Sequence, residues 1–466
     1  MARRCLRYAA MGMVWCCLAL PAFSAELPSF VIFLTDDQRW DALSCAGNKI
    51  LQTPHIDKIA REGLLFKNAF VTTSLSAPSR VTILTGQYSH THGVKENQNV
   101  KLPAATLLLP EFLKEKKGYE VAFCGKSKLG PDLAKRKWDY FFAYDSDDYL
   151  NPTIFASDGK PQSLSGYVDD IVTQHAIEWL KKKRDKPFCL FLWFNAPHRP
   201  WIRARRHHDL FANVPITKPA TYDDDQKNYP GKPKAFTNAK NRVGEFADVR
   251  SLDFIRDYYA TLVAVDENVG KVYAVLQAMN KLDNTVIIFT SDNGYFLGEW
   301  RMFGNSFMHE PSIRVPLVIR YPKAIPKPGT RDSAALNVDI APTVLQLAEI
   351  PIPKEIQGLS LVPLFAPDAA AVKDWRKEGW LYEYFENPGP QNVRKHRGIR
   401  TPKSPLGGPF KFIHYFEAPE EFELYDLEKD PLERNNLYGN PMYQKVVDHM
   451  KLTMEKLRTQ TGDNSK

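Results

Sequence analysis

Three uninterrupted apolar stretches, each followed by polar residues, constrain the fold of this chain most. Residues 30–34, 188–194 and 286–289 contain no charged side chain. Short apolar runs of this kind are typical of strands buried on both faces, as in parallel sheets. Asp36 and Asp37 follow the first run, and Asp292 and Asn293 follow the third. Because ligands in open parallel sheets bind at the carboxyl ends of the strands, the pattern predicts a site there.

Segments with helical spacing of apolar residues alternate with these runs. They are 54–62, 106–117, 166–184, 251–280 and 339–349. Such an alternation predicts an α/β fold with a mostly parallel central sheet flanked by helices. Residues 200–248 break the alternation, because they are polar and rich in lysine, proline and asparagine. We interpret them as a long surface excursion that could line a substrate cleft.

The residue pattern of the sequence changes after about residue 366. Short aromatic strand patterns follow at 380–385, 398–401, 410–416 and 422–427, and then a terminal helix at about 441–458. This predicts a smaller C-terminal α+β subdomain containing a short antiparallel sheet. The predicted division is a signal peptide at 1–24, a main domain at 25–366 and the C-terminal subdomain at 367–466.

The first 24 residues have the features of a secretory signal. Three arginines precede an apolar run at 9–20, and small residues stand before the expected cleavage point. We expect an exported protein, periplasmic or secreted, without stable membrane insertion; a retained N-terminal anchor is the alternative. Removal of the three arginines lowers the formal net charge from +8 to +5. That mild excess is far from the charge of a nucleic-acid-binding protein, so no nucleic-acid partner is expected.

The strand-end acids form a candidate metal site. Asp36, Asp37, Asp292 and Asn293 supply three carboxylates and one amide oxygen. Taken alone, each pair is explained more simply as a helix cap or a solvated loop. Together they form an all-oxygen set suited to a hard divalent cation such as Ca²⁺, and without a cation the carboxylates would repel one another.

The stretch from Ser76 to Arg80 has the form of a turn that enters a helix. Pro78 suits a first helical turn, and exposed backbone N–H groups at such a position favour an anion. On these grounds alone an ordinary helix start is the simpler interpretation. The other motifs of the chain change that interpretation.

The motifs follow one another in a specific order. They are Thr-Asp36-Asp37-Gln, Ser76-Ala-Pro-Ser-Arg80, Gly125-Lys126, Ala-Pro-His198 and Ser-Asp292-Asn293-Gly. In this combination the chain resembles the type I, formylglycine-dependent sulfatases of the alkaline phosphatase superfamily, over nearly the whole mature sequence. The resemblance implies an alkaline-phosphatase-like fold and hydrolysis of sulfate esters. The opening and the tail look most like carbohydrate sulfatases of the N-acetylglucosamine-6-sulfatase type, which implies a sulfated carbohydrate as substrate.

The resemblance also implies roles for single residues. Ser76 would be oxidised to 3-oxoalanine (formylglycine), whose Ca²⁺-bound hydrate attacks sulfur and gives a sulfated enzyme intermediate. Residue 76 would then join the four strand-end residues as a Ca²⁺ ligand, and Arg80 would steady the hydrate. Lys126 would bind the sulfate oxygens, and His198 would protonate the leaving oxygen. A serine at this position implies an anaerobic sulfatase-maturating enzyme as a partner and a bacterial host.

Two positions depart from the family pattern. Lys128 stands where the family usually has a histidine, and Asn305 stands where it usually has a lysine. A neutral amide can bind a sulfate oxygen but supplies no charge, so we expect His309 to compensate. His396 and Arg397, within a basic segment of the tail, are further candidate substrate contacts, although a solvated loop explains them equally well.

These departures leave two other functions open. One is a phosphoester or phosphonate hydrolase of the same superfamily, which can share the metal site. The other is a degenerate sulfatase that only binds sulfated glycans, which Lys128 and Asn305 motivate.

Overall fold

The computed structural model describes residues 26–464 except 99, 157–159, 225–230, 367–371, 373 and 388. The predicted signal peptide lies outside the described residues. The strands are β1 Ser29–Thr35, β2 Leu64–Phe66, β3 Ala69–Phe70, β4 Glu120–Lys126, β5 Tyr140–Tyr144, β6 Thr153–Ala156, β7 Pro161–Ser163, β8 Phe188–Trp193, β9 Thr285–Ser291, β10 Phe296–Leu297, β11 Phe303–Gly304, β12 Leu317–Arg320, β13 Gly329–Arg331, β14 Ala335–Leu336, β15 Trp380–Tyr384, β16 His396–Arg400, β17 Phe410–Tyr415 and β18 Glu421–Asp426. The α-helices are α1 Pro54–Arg61, α2 Ser76–Thr85, α3 Ser89–His92, α4 Leu109–Lys117, α5 Pro131–Ala134, α6 Val168–Leu180, α7 Lys234–Thr237, α8 Phe254–Ala278, α9 Glu310–Ile313, α10 Ile340–Leu347 and α11 Gln444–Thr461. Within the described part of the chain, every helix is too short or too polar to cross a membrane.

A ten-stranded sheet forms the centre of the molecule. Its strand order is β13-β2-β12-β9-β1-β8-β4-β5-β6-β7. The five central strands from β9 to β5 run parallel, whereas β12 and the β6–β7 hairpin are antiparallel additions at either side. The prediction of an α/β fold with a mostly parallel sheet is therefore confirmed.

Strand β1 shows why its sequence is continuously apolar. Val31 and Phe33 belong to the core on one face of the sheet, and Phe30, Ile32 and Leu34 to the core on the other. Helices α1, α6 and α8 supply the first core, and α2, α4 and α10 the second. Because both faces are covered by helices, neither set of alternating side chains meets water.

The C-terminal segment forms a separate antiparallel sheet of four strands in the order β15-β16-β17-β18, as predicted. Its apolar side chains belong to the same core as one face of the central sheet. The Trp380 ring, for example, lies 5.1 Å from the Phe70 ring, measured between centroids. Helix α11 begins at Gln444 and extends to Thr461, three residues beyond the predicted end. The boundary near residue 367 stays a prediction, because it adjoins a stretch outside the described residues.

Several predicted boundaries differ from the structure. Helix α1 begins at Pro54 as predicted but ends at Arg61, one residue before the predicted end, with Glu62 as its C-cap. Helix α4 begins at Leu109, because Pro110 in the first turn fixes the start of the helix there. Strand β5 was not predicted, although its run of apolar residues pairs with β4. This omission matters for the site.

Candidate active site

The register of the two central strands brings the acidic pairs together. Strands β1 and β9 pair in parallel with Thr35 opposite Ser291, so the residues that follow each strand meet at one edge of the sheet. The Asp37 backbone N–H donates to Asp292 Oδ1 at 3.1 Å. Asp37 has a positive φ of 72°, a backbone conformation that is uncommon for a side chain with a Cβ and typical of functional turns. The carboxylates at the ends of the two strands therefore lie close together, as predicted.

Helix α2 brings Ser76 to this cluster. Ser76 is its first residue, and the hydroxyl donates to Asp36 Oδ1 at 3.2 Å. The next backbone N–H, that of Ala77, donates to the Asn97 side chain at 2.9 Å, which satisfies one of the unpaired donors at the helix start. All ten residues of the helix are buried. The hydroxyl is therefore held at a fixed place beside the carboxylates.

Arg80 lies one helical turn after Ser76 and is fully buried. Its Nε donates to Asp292 Oδ2 at 2.9 Å, and its Nη2 lies 3.2 Å from Asp36 Oδ2. A third contact runs from Nη1 to the Lys126 carbonyl at 2.5 Å. A buried guanidinium requires such pairing, so Arg80 ties the two strand ends to each other and to β4.

Lys126 is the last residue of β4 and has no exposed side-chain surface. Its Nζ lies 2.6 Å from Asp36 Oδ2 and 2.8 Å from Asp147 Oδ1. Lys128, with 24% of its side chain exposed, also contacts Asp147 Oδ1, at 2.7 Å. The ammonium groups of the two lysines therefore converge on one carboxylate oxygen at the open side of the cluster.

His198 follows β8 and faces the cluster through one ring nitrogen. Its Nδ1 lies 2.5 Å from the Arg199 carbonyl, which can only accept, so Nδ1 carries a proton. Its Nε2 faces Asp37 Oδ2 at 3.8 Å. Burial and the nearby Lys126 lower the pKa of His198. The second nitrogen is thus the one available for proton exchange in the site.

The three carboxylates have too few cationic partners for all of them to ionise. Burial, followed by the charges of Asp36 and Asp292, raises the pKa of Asp37 well above its usual range. Burial and Asp36 likewise raise the pKa of Asp292 to about 7. Burial acts in the same direction on Asp36, but Lys126 and then His198 and Arg80 outweigh it and hold the pKa of Asp36 well below normal. Two of the three acids therefore need a further cation in order to ionise at neutral pH.

A hard divalent cation fits this need. Asn293 Nδ2 and Asn305 Nδ2 donate to Asp37 Oδ1 at 2.6 and 2.8 Å. Asn293 Oδ1 is buried without a hydrogen-bond partner. Carboxylates that remain protonated for lack of a cation, together with an unpaired amide oxygen beside them, are the ligand types that Ca²⁺ takes. Asp36, Asp37 and His198 also present one ligand atom each within 4.8 Å of one another.

Asn305, which stands where the family usually has a lysine, lies in the site. His309 was predicted to compensate for the missing lysine, but it lies elsewhere. His309 Nε2 contacts Lys232 Nζ at 2.9 Å and Glu423 Oε2 at 3.4 Å in a fully buried cluster. The reason is that Lys232, from the surface excursion, inserts among aromatic rings and takes this histidine as its partner. The predicted role of His309 toward substrate is wrong in this structure.

His396 and Arg397 are also misplaced by the prediction. Strand β16 begins at His396 rather than at residue 398, so both residues belong to the C-terminal sheet, and their side chains are buried on its two opposite faces. His396 has no exposed surface and packs against Tyr384 and Tyr415 with ring centroids 5.1 and 5.0 Å apart. Arg397 pairs with Asp463 at 3.4 Å. Neither side chain reaches a substrate on the surface.

Sequence reasoning missed Asp147. It lies in the run Asp145-Ser146-Asp147-Asp148, directly after β5. Since β5 was not predicted, this run did not count as another set of strand-end acids. The apolar stretch at 140–144 followed by three aspartates in four residues was the available signal.

Comparison with known proteins agrees with this geometry. Residues 28–350 match the Sulfatase family, and residues 298–460 match the C-terminal region of N-sulphoglucosamine sulphohydrolase. The first match spans well over half of the chain. This chain belongs to the sulfatase family. It is accordingly a sulfuric ester hydrolase, and the resemblance stated from its motifs is confirmed.

One relative of this sulfatase is named for a sulfated sugar, and another similar protein has been solved with one. This sulfatase is 35% identical over 94% of its length to N-acetylglucosamine-6-O-sulfatase of Bacteroides thetaiotaomicron, 87% of which is covered. It superimposes with a TM-score of 0.86 and 32% identity on a protein solved in complex with its substrate D-glucosamine-2-N,6-O-disulfate, covering 94% of this chain and 99% of the other. The phosphonate monoester hydrolase of Agrobacterium radiobacter shares the fold, with a TM-score of 0.74, 22% identity and coverage of 93% and 96%.

Proposed function

We propose that this sulfatase hydrolyses a sulfate ester of a carbohydrate, with 6-O-sulfated N-acetylglucosamine as the first substrate to test. The observation that carries the proposal is the arrangement around Ser76, in which three buried carboxylates lie together with the buried Lys126 and the partly exposed Lys128. The carboxylates suit a metal ion, and the lysines suit an anionic ester. The names of the sugar-sulfatase relatives support the choice of substrate.

Calcium is the metal that we propose. Asp36, Asp37, Asp292, Asn293 and residue 76 would hold it, in agreement with the orphaned Asn293 oxygen and the raised pKa values of Asp37 and Asp292. When bound, Ca²⁺ would act as a Lewis acid and neutralise the carboxylates. Arg80 would keep Asp36 and Asp292 in place, as it does in the structure.

Residue 76 is proposed to act as formylglycine rather than as serine. Among the described residues, the Ser76 hydroxyl makes one side-chain hydrogen bond, to Asp36. The low pKa of Asp36 makes that carboxylate a poor base, so the unmodified hydroxyl lacks a group that would take its proton. An anaerobic maturase acting before export to the periplasm or medium is the partner that a serine precursor requires under this proposal.

Lys126 and His198 are proposed to act on the ester itself. The Lys126 ammonium group, held without exposure to water, would bind the sulfate oxygens and stabilise the charge that develops on them. His198 would act in its imidazolium form, which the negative charge of a bound sulfate ester would favour: Nε2 would give its proton to the leaving sugar oxygen, while Nδ1 keeps its own proton on the Arg199 carbonyl. Lys128, which contacts the same carboxylate oxygen as Lys126, would add a second cation for the sulfate group.

The experiment compares ester classes with one enzyme preparation. The chain is produced with an anaerobic maturase, loaded with Ca²⁺ and assayed on N-acetylglucosamine 6-sulfate, on 4-nitrophenyl sulfate and on the matching phosphate and phosphonate esters. We expect turnover of a sulfate ester that disappears in Ser76→Ala. Turnover of only the phosphorus esters would support the hydrolase alternative, and binding of the sulfated sugar without any turnover would support the degenerate one.

A further inference from the structure

Asp147 is the outermost carboxylate of the site and the common partner of both lysines. Its Oδ1 lies 2.8 Å from Lys126 Nζ and 2.7 Å from Lys128 Nζ. Its side chain is 42% exposed, whereas the Lys126 side chain is fully buried. A single oxygen between two ammonium groups at these distances has the surroundings that a sulfate oxygen would need.

The loop that carries Asp147 does not depend on this carboxylate for its shape. Asp145 accepts a hydrogen bond from the Ser127 hydroxyl at 2.5 Å, which joins the loop to the end of β4. Asp148 accepts from the backbone N–H groups of Leu150 and Asn151 at 2.8 and 2.9 Å, which closes the following turn. The Asp147 backbone carbonyl, not its side chain, receives the Asn195 amide at 3.4 Å. The side chain of Asp147 is therefore free to serve the site.

We propose that Asp147 is a resident anion, which occupies a sulfate-oxygen position between Lys126 and Lys128 in the free enzyme and leaves it when substrate binds. The inference rests on the proposed function, because it takes the two lysines as the sulfate-binding group. Asp147 then sets the affinity of the site for the sulfate group. Before substrate binds, it keeps the two lysines apart and oriented. After hydrolysis, it competes with the sulfate product for the same two ammonium groups. A carboxylate near the bound sulfate also repels it, and this repulsion assists product release.

The charges around Asp147 are consistent with this role. Burial would raise the pKa of Asp147, but Lys126 and then His198 and Lys128 outweigh it and keep the pKa below the usual range, so the side chain is an anion at neutral pH. His198 Nδ1 lies 3.6 Å from the same Oδ1. Without Asp147, the side chains of Lys126, Lys128 and His198 would lose a neighbouring negative charge. The two ammonium groups would then have no carboxylate that competes with an incoming sulfate.

The test measures inhibition of sulfate-ester turnover by inorganic sulfate in the matured, Ca²⁺-loaded enzyme. Asp147→Asn removes the competing charge at nearly constant shape, and we expect the inhibition constant of sulfate and the KM of the ester both to fall about tenfold. Asp148→Asn is the matched control, because it makes the same exchange one residue away and an asparagine can still cap the turn. Its inhibition constant should stay within about twofold of the wild type. Asp147→Glu, which restores a carboxylate, should return the constant toward the wild-type value.

The outcomes separate this inference from the function. An unchanged or raised inhibition constant in a folded Asp147→Asn protein overturns the inference, whereas the function stands as long as the wild type hydrolyses a sulfate ester. If Asp147→Asn does not fold, Asp147→Ala provides the same measurement and the same expected fall. In a Lys128→Met background the effect of Asp147→Asn should shrink, because one of the two cations that Asp147 occupies is gone. An undiminished effect there would contradict the shared position.

Discussion

Replacing Lys126 with methionine tests the electrostatic basis of the site most informatively. Methionine approximately fills the volume of the lysine stem but removes the ammonium group that lies between Asp36 and Asp147. Because the side chain is fully buried, water does not screen the lost charge. Removal of one preorganised group that stabilises a developing anion costs roughly 10²–10³ in kcat, or about 3–4 kcal/mol.

The same change has a smaller cost in stability. Asp36 loses one partner but keeps Arg80 Nη2 at 3.2 Å, so the carboxylate is not left alone in the core. Breaking a buried ion pair completely costs about 3–5 kcal/mol, and we expect the lower end or less here. The protein should therefore fold and bind Ca²⁺ while its turnover falls by more than its stability would explain.

The assay is release of sulfate from a sulfate ester by the matured Lys126→Met protein, with thermal unfolding followed in parallel. Lys135→Met is the matched control, because Lys135 has 71% of its side chain exposed and pairs only loosely with Asp132 at 3.1 Å. It should change kcat less than about twofold. A Lys126→Met enzyme that retains more than about a tenth of the wild-type kcat would refute the proposed role of this lysine.

Three further predictions concern the metal, pH and the C-terminal core. Saturating Ca²⁺ should raise the melting temperature of the wild type, with about 2.7 kcal/mol gained at a hundred times Kd, and Asp37→Asn should lose most of this gain in a calorimetric scan. In calcium-free protein, Asp292 keeps its proton up to about pH 7 when folded, whereas the unfolded chain loses it near pH 4. Asp292 therefore contributes fully to the free energy of unfolding below about pH 4, and this contribution is lost as the pH rises through about 7. Denaturant unfolding at a series of pH values should show that decline, and Asp292→Asn should flatten it. Arg397→Met should lower the melting temperature by several degrees through loss of the Asp463 pair, with KM unchanged; a raised KM would restore Arg397 as a substrate contact.

The parts of the site that could be predicted are those that follow from a rule about sheets. Asp36 and Asp292 come directly after apolar runs, and strands of a parallel sheet end at a common edge, so their meeting needed no knowledge of strand order. The helix that carries Ser76 and Arg80 could be located from its own turn residues. The fold class followed from the same alternation of strands and helices.

The parts that could not be predicted depend on partners distant in sequence. His309 is turned away from the site because Lys232, 77 residues earlier in the chain, occupies its ring nitrogen. His396 looks like a solvated basic residue until β15 and β17 place tyrosines on either side of it. Asp147 was hidden because the strand that precedes it was not predicted. Long-range packing decided each of these cases, and local pattern carries little information about it.

Residue 76 of this sulfatase is proposed to be a modified nucleophile in a site that also holds the lysines and carboxylates described above. The most direct measurement is the mass of the tryptic peptide 68–80 from protein made with an anaerobic maturase, taken together with sulfate-ester turnover by the same sample. We predict a peptide lighter than the unmodified one by two hydrogen atoms, with turnover proportional to its fraction. Turnover by a sample whose peptide carries only unmodified serine would contradict the account.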